Sequence, residues 1–350
     1  MAAPVAGVVA VAAGFVADVS GALALPFAAV LVATVLAAVH HAEVVAHRIG
    51  EPFGTLVLAV AVTVIEVALI VSVMIGAPEA KSGLARDTVY AAVMIVCNGI
   101  VGLSLLSGGA RHHEQGFQLQ GASSALAVLA ALTILTMIVP NVTVSAPGPR
   151  FSDAQLMFAG IVSLVLYGSF VFVQTVRHRD YFLPVETGAD EDAHAVPPGD
   201  GQALLSLGLL VVALVAVVGL AKVLTPAIEA GLAAAQAPEG VLGIVIAGIV
   251  LLPEGVAALR AARANRLQTS LNLALGSALA SIGLTIPAVV VLALAFDFPL
   301  QLGLGVKDSV LLMLTLLLGI VTLGTGRTTV LQGIIHLVVF AAFVFFAFVP

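Results

Sequence analysis

The sequence predicts an all-α integral membrane protein of about eleven transmembrane helices, on three observations. Hydrophobic residues make up 61% of the chain and charged residues only 9%, whereas a soluble globular domain carries about 25% charged residues. That leaves too few charges to coat a soluble body of 350 residues. Mean hydropathy is +1.19, and the apolar residues fall in runs suited to crossing a bilayer, at roughly 20 residues per span. The net charge of −6 comes largely from one loop and points to no nucleic-acid partner. The single cysteine, Cys97, rules out an intramolecular disulfide, and the absence of Trp with scarce Tyr makes the interfacial aromatic belt weak.

The first run, near 4–17, is short and precedes Asp18. It lacks the basic n-region of a signal peptide, so it reads as a span kept in the mature protein. Five runs follow near 22–40, 54–76, 88–108, 121–140 and 154–176. The hydrophilic segment 177–202, "RHRDYFLPVETGADEDAHAVPPGDGQ", is acidic with Pro and Gly near its end, and reads as a mobile cytoplasmic linker. Five more runs follow near 203–224, 239–260, 270–296, 308–323 and 329–349. The expected plan is therefore an N-terminal helix in 1–20, a five-helix repeat in 21–176, the linker, and a second five-helix repeat in 203–350. An odd number of spans per repeat inverts one against the other, the plan of secondary transporters.

Basic residues set the orientation. With the N-terminus in the cytoplasm, inner loops hold Arg48, Arg111, Arg177, Arg179, Arg260, Arg263, Arg266 and Arg327. The outer side holds Lys81, Arg86, Arg150, Lys222 and Lys307. Eight against five favours the N-terminus inside and the C-terminus outside.

Two acids stand out. Glu66, in "VLAVAVTVIEVALIVSVM", is the only ionisable residue between Gly54 and Pro78. A charge at mid-membrane costs about 2.5–3.5 kcal/mol on insertion scales, so it needs a reason. Glu254, in "GIVLLPEGVAAL", falls in the second run of the second repeat, as Glu66 does in the first. One such acid is explained by a protonated carboxyl serving helix packing, but two at matching positions argue against coincidence. Burial favours the protonated form of an acid, a neighbouring carboxylate favours it further, and such a pair titrates as a unit. A bound cation stabilises the ionised form instead. Competition of protons and a cation for the same two acids couples their fluxes, which is antiport.

A hard cation such as Ca²⁺ takes several oxygen ligands. Thr63 lies one turn before Glu66, and carbonyls freed near Pro253 are further candidates, because a proline ring does not fit an unbroken helix. The following run of the first repeat offers Asn98 and Ser104 with Gly99 and Gly102. Its counterpart offers Asn272, Ser277, Ser281 and Thr285 with Gly276 and Gly283. Small residues also serve close helix packing. Asn98 and Ser277 are the favoured ligands, since each opens a small-residue patch.

Several features read more plainly. His40, Glu43 and His47 share a helical face in "HHAEVVAH" and read as interfacial residues at the start of a membrane helix rather than as a metal site. Asp190, Glu191, Asp192 and His194 read as solvated linker rather than a cation sensor, His336 as a packing residue with no evident partner, and Arg327 as a helix-end anchor. No nucleophile-and-base arrangement or His-Glu-x-x-His metal motif is present, so no enzyme and no cofactor are expected. A channel, which uses charged rings or a carbonyl filter, is the weaker alternative.

Three stretches carry a family resemblance. "AEVVAHRIGEPFGTLVLAVAVTVIEVALIVS" resembles the first signature repeat of the calcium/proton exchangers of the cation/Ca²⁺ antiporter superfamily. "LLPEGVAALRAARANRLQTSLNLALGSALASIGLTIPAVV" resembles the second, including its Gly-Ser pair, here Gly276 and Ser277. "GRTTVLQGIIHLVVFAAFVFF" resembles the last helix. The similarity runs from about Val39 onward and is greatest to the bacterial sodium-potassium-calcium/proton antiporter branch. The resemblance implies alternating access, Glu66 and Glu254 as the two essential acids that bind protons or the transported cation, and a gating or proton-entry role for Glu43. It also implies Ca²⁺, with Na⁺ or K⁺, as cargo exchanged for protons across a bacterial inner membrane, the lipid bilayer being the one further partner. The family commonly carries Gly-Asn-Ala-Thr-Glu in each repeat, where this chain has "VTVIE" and "VLLPE". Thr63 and Leu251 therefore stand at the asparagine positions, which leaves room for Na⁺/K⁺ exchange with little Ca²⁺ transport.

Overall fold

The computed structural model describes residues 2–17, 19–50, 53–75, 77, 79–183, 198–238 and 240–349. The chain is helical almost throughout. The helices are α1 (Ala2–Val16), α2 (Ala24–Ile49), α3 (Phe53–Met74), α4 (Leu84–His112), α5 (Leu119–Asn141), α6 (Asp153–Arg177), α7 (Asp200–Ala234), α8 (Gly240–Arg263), α9 (Leu267–Phe296), α10 (Val306–Leu323) and α11 (Val330–Phe348). Among the described residues, ten of them are long and apolar enough to cross a bilayer, and α1, with 15 residues, is the short one. This is an all-α integral membrane protein.

Two segments differ from the sequence expectation. α2 runs on to Ile49 and ends where Gly50 takes φ 74°, a left-handed value that glycine accepts without strain. His40, Glu43 and His47 thus lie in the last turns of a membrane helix rather than at the start of one. Residues 179–182, expected as linker, form a tight turn whose Phe182 is buried with its ring 5.7 Å from that of Phe170. The acidic residues 190–192 and His194 lie outside the described residues.

The helices group into two compact units, each drawing on both sequence halves. The first comprises Met1–Lys81 and Asp190–Val250, and the second Ser82–Ala189 and Leu251–Pro350. In the first unit α7 packs on α1, α2 and α3, and α2 packs on α3. Glycines permit the close approach of α1: a Cβ on Gly14 would lie 2.5 Å from Val223 Cγ1, and one on Gly219 2.7 Å from Val11 Cγ1. Arg48 pairs with Asp200 near one end of α7, and Lys81 lies 3.5 Å from Glu229 near the other.

In the second unit α9 packs on α4, α5 and α6, and α11 packs along α4. α4 is the spine, buried along most of its apolar length, whereas α11 presents Leu331, Ile334, Val338 and Phe345 as an exposed apolar face suited to lipid. A short antiparallel ribbon ties the ends of α4 and α11, with Gln115 opposite Thr328 and Gly116 opposite Arg327. There the Arg327 guanidinium lies 3.0 Å from Glu114, in keeping with a helix-end anchor.

Candidate functional site

In the first unit, α3 carries Glu66 at 2% exposure, among the buried Ile65, Leu69 and Ile70. No proline interrupts α3, so its backbone bonds are self-contained and its side chains supply what polarity it has. Thr63 lies one turn earlier on the same side and is also buried. Its hydroxyl donates to the Ala59 carbonyl at 2.8 Å, which leaves oxygen lone pairs on the face shared with Glu66. Glu43 is exposed near the end of α2, apart from that turn. His41 is buried, its Nδ1 3.3 Å from Ser206 Oγ on α7.

In the second unit, Glu254 is half-buried with its Oε2 shut from solvent, and it follows Pro253. The helix runs through this proline from Gly240 to Arg263, against the expectation of a break. Pro253 removes one backbone bond without ending the helix: having no N–H, it cannot donate to the carbonyl of Ile249 one turn earlier. Leu251 is buried and apolar. A Cβ on Gly255 would lie 3.2 Å from Ile100 Cδ1, so the turn after Glu254 packs on the segment that carries Asn98.

That segment, Ile95–Ile100, is a π-turn inside α4. Such turns insert a residue into the helix and occur frequently at functional sites. Asn98 is fully buried, and its Nδ2 donates to Thr315 Oγ1 on α10 at 2.8 Å. Its Oδ1 lies 3.2 Å from His336 Nδ1 on α11, and His336 Nε2 lies 2.7 Å from Thr322 Oγ1. The expectation that His336 lacks a partner is thus overturned: it bridges α4 and α10. Reading α11 by itself could not find this, because the partners come from two other helices. The usable signal was the spacing of Gly99, Gly102, Gly109 and Gly333, where added Cβ atoms would meet Phe340, Leu337, Val330 and Leu106 at 3.3, 3.0, 2.8 and 2.4 Å.

Ser277 is half-buried on α9, and the Asn98 network does not include it. Asn272 donates to the Phe182 carbonyl at 2.6 Å and also accepts from Gln268, so it braces the 179–182 turn. Among the described residues no group of three or more His, Cys, Asp or Glu side chains could hold a metal ion, and His40, Glu43 and His47 form none. Each unit thus carries oxygen groups near its acid: the Thr63 hydroxyl on α3 in the first, and the Asn98 carboxamide on α4 in the second.

An all-helical membrane fold with a buried acid inside a spanning helix defines the class of ion-translocating integral membrane proteins. Residues 19–176 and 205–349 match the family model described as sodium/calcium exchanger protein, and the chain belongs to that family. It is 49% identical over 329 residues to a Sinorhizobium fredii protein named putative ionic transporter y4hA, covering 94% of this chain and 89% of that protein. It is 35% identical over 315 residues to the sodium-potassium/proton antiporter ChaA of Escherichia coli, covering 89% and 85%. Among solved structures, native YfkE superposes with a TM-score of 0.77 at 17% identity, covering 99% of each chain. The H⁺/Ca²⁺ exchanger CAX superposes at 0.69 and 13% identity, covering 92% of this chain and 82% of that one. These two show that the fold is shared.

Proposed function

We propose that the protein is a secondary cation/proton antiporter that exports Ca²⁺, with Na⁺ or K⁺ as further cargo, in exchange for protons by alternating access. The observation that carries this reading is Glu66, a carboxyl at 2% exposure inside an apolar spanning helix. Glu254, at the matching place in the other half of the sequence, is the second acid. Protons neutralise the two carboxyls in one state, and the cation replaces them in the other. The empty, doubly ionised state is too costly to cross, because buried charges without a counter-charge pay a large desolvation cost. Thr63, Asn98, Ser277 and the Ile249 carbonyl left without a helical partner by Pro253 supply further oxygens, and Glu43 gates proton entry from its exposed position. The halves 21–176 and 203–350 act as inverted five-helix repeats in a bacterial plasma membrane, with the N-terminus in the cytoplasm. Family membership and relatives named as antiporters support the reading.

A second reading is exchange of Na⁺ or K⁺ with little Ca²⁺ transport. It is favoured by Leu251, a buried apolar side chain where the family commonly has an amide oxygen, and by the relative named as a sodium-potassium/proton antiporter. Loss of a ligand oxygen weakens binding of a divalent ion most, since Ca²⁺ takes six to eight.

One experiment tests both readings. Everted membrane vesicles are energised and followed with a pH-sensitive dye while Ca²⁺, Na⁺ or K⁺ is added separately. Collapse of the pH gradient identifies an exchanger, and the effective ion names its cargo. A gradient unmoved by all three ions overturns the proposal.

A further inference from the structure

His336 has no part in the exchange chemistry proposed above, yet it sits at the centre of a buried polar chain in the second unit. Asn98, Thr315, His336 and Thr322 are 0, 1, 1 and 5% exposed. They come from three helices, α4, α10 and α11.

Two glycines bring them together. Gly333 precedes His336 by one turn on α11, and a Cβ on Gly333 would lie 2.4 Å from the backbone nitrogen of Leu106. On the α4 side, a Cβ on Gly102 would lie 3.1 Å from His336 Cβ. Only with both positions reduced to hydrogen do the helices approach closely enough for the imidazole to reach the π-turn.

Donor and acceptor roles then fix the amide. Thr315 donates its hydroxyl hydrogen to the Leu311 carbonyl at 2.8 Å, so its oxygen accepts from Asn98 Nδ2. Asn98 Oδ1 is left facing His336 Nδ1, and a carboxamide oxygen only accepts, so in this arrangement Nδ1 carries the hydrogen and Nε2 accepts from Thr322 Oγ1, whose hydrogen is shared with the Leu318 carbonyl at 2.6 Å. A flipped carboxamide would set its oxygen against a threonine oxygen whose hydrogen is committed elsewhere, and would call for the other imidazole tautomer. The bond to Thr315 would be lost in a place closed to water, where nothing replaces it.

We infer that His336 is a positioning residue that holds the Asn98 carboxamide in one orientation, and so sets the affinity of the exchanger for its cation. The inference rests on Asn98 being a cation ligand, as proposed above. A carboxamide oxygen has two lone pairs, of which His336 takes one and leaves the other aimed in a fixed direction. Thr315 holds the nitrogen end in the same way.

The test is cation-driven proton movement in everted vesicles, resolved into maximal rate and apparent KM for the effective cation. His336→Leu removes the donor, whereas His336→Asn retains a short N–H. Thr315→Val removes the acceptor at similar shape, and Thr315→Ser keeps it. We expect His336→Leu and Thr315→Val to raise KM by about two- to tenfold, the worth of one net hydrogen bond, with maximal rate per folded protein little changed. His336→Asn and Thr315→Ser should stay near wild type. Equal KM in all four variants, or a fall in rate alone, overturns the inference. So does loss of folded protein in both His336→Leu and Thr315→Val, since the network would then be purely structural. Asn98→Ala separates the two levels: an unchanged KM there removes Asn98 as a ligand and the inference with it. A raised KM there with a normal His336→Leu leaves the ligand standing and removes only the positioning role.

Discussion

α3 and α8 each carry one buried or half-buried acid, but they surround it by different means. Glu66 sits in an uninterrupted helix, and one turn before it on the same face α3 carries the Thr63 hydroxyl. Glu254 sits directly after Pro253, so α8 offers a backbone carbonyl released from its helical bond, while its position 251 is an apolar leucine. On the function proposed above, the oxygen that accompanies each acid comes from a side chain in one helix and from the main chain in the other. A pattern search that expects the same residue in both repeats would overlook this, because the main-chain solution is written as a proline and not as a ligand.

The largest expected effect tests what the two regions share. Glu66→Gln and Glu254→Gln keep size and hydrogen bonding but cannot exchange a proton for a cation. Each should reduce cation-driven proton movement to the level of vesicles lacking the protein. Activity in either variant would mean that only one acid carries the exchange, and the comparison would then set a working helix beside a structural one.

The next effect tests what is particular to α8. Pro253→Ala restores the N–H and with it the bond to the Ile249 carbonyl; a helix-interior proline costs about 3 kcal/mol. Thermal stability should rise by a few degrees while the apparent KM for the cation increases by about tenfold, as one ligand oxygen is withdrawn. A stabilised protein with unchanged KM would show that the carbonyl is no ligand, and that the proline serves only flexibility. A smaller effect is expected in α3. Thr63→Val removes one hydroxyl at constant shape and should raise KM by about threefold, with Thr63→Ser restoring it. If Thr63→Val has the larger effect of the two, the side-chain oxygen dominates and the ranking of the two helices reverses.

Much of this was legible in the sequence because a membrane simplifies the code. Each span must satisfy its own backbone, so apolar run length alone located the eleven helices, and the rarity of charge within them singled out Glu66. What could not be read were features written across helices. The partners of His336 lie on α4 and α10, 238 and 14 residues away. The extension of α2 through "HHAEVVAH" was hidden because polar residues at a helix end look the same in sequence as those at a helix start. The continuity of α8 through Pro253 was hidden because proline marks a missing bond, and tertiary packing decides whether the helix stops.

The smallest effect separates the two small-residue patches, which look alike in sequence. In α4, Gly99 and Gly102 are packing positions, with added Cβ atoms 3.3 Å from Phe340 and 3.0 Å from Leu337. In α9, Gly283 is one as well, with a Cβ 2.6 Å from that of Tyr167, but a Cβ on Gly276 would meet nothing within 4 Å. Packing therefore explains Gly102 and does not explain Gly276. Glycine in a helix interior costs about 1 kcal/mol relative to alanine, so Gly276→Ala should leave thermal stability unchanged or slightly raised, whereas Gly102→Ala should lower it. Exchange measured on the same Gly276→Ala protein then decides whether the room at Gly276, next in sequence to Ser277, serves transport. A normal rate means the glycine is incidental. A reduced rate in a protein of undiminished stability means the space is needed for passage of the ion, and gives Ser277 a place on its route that packing alone cannot.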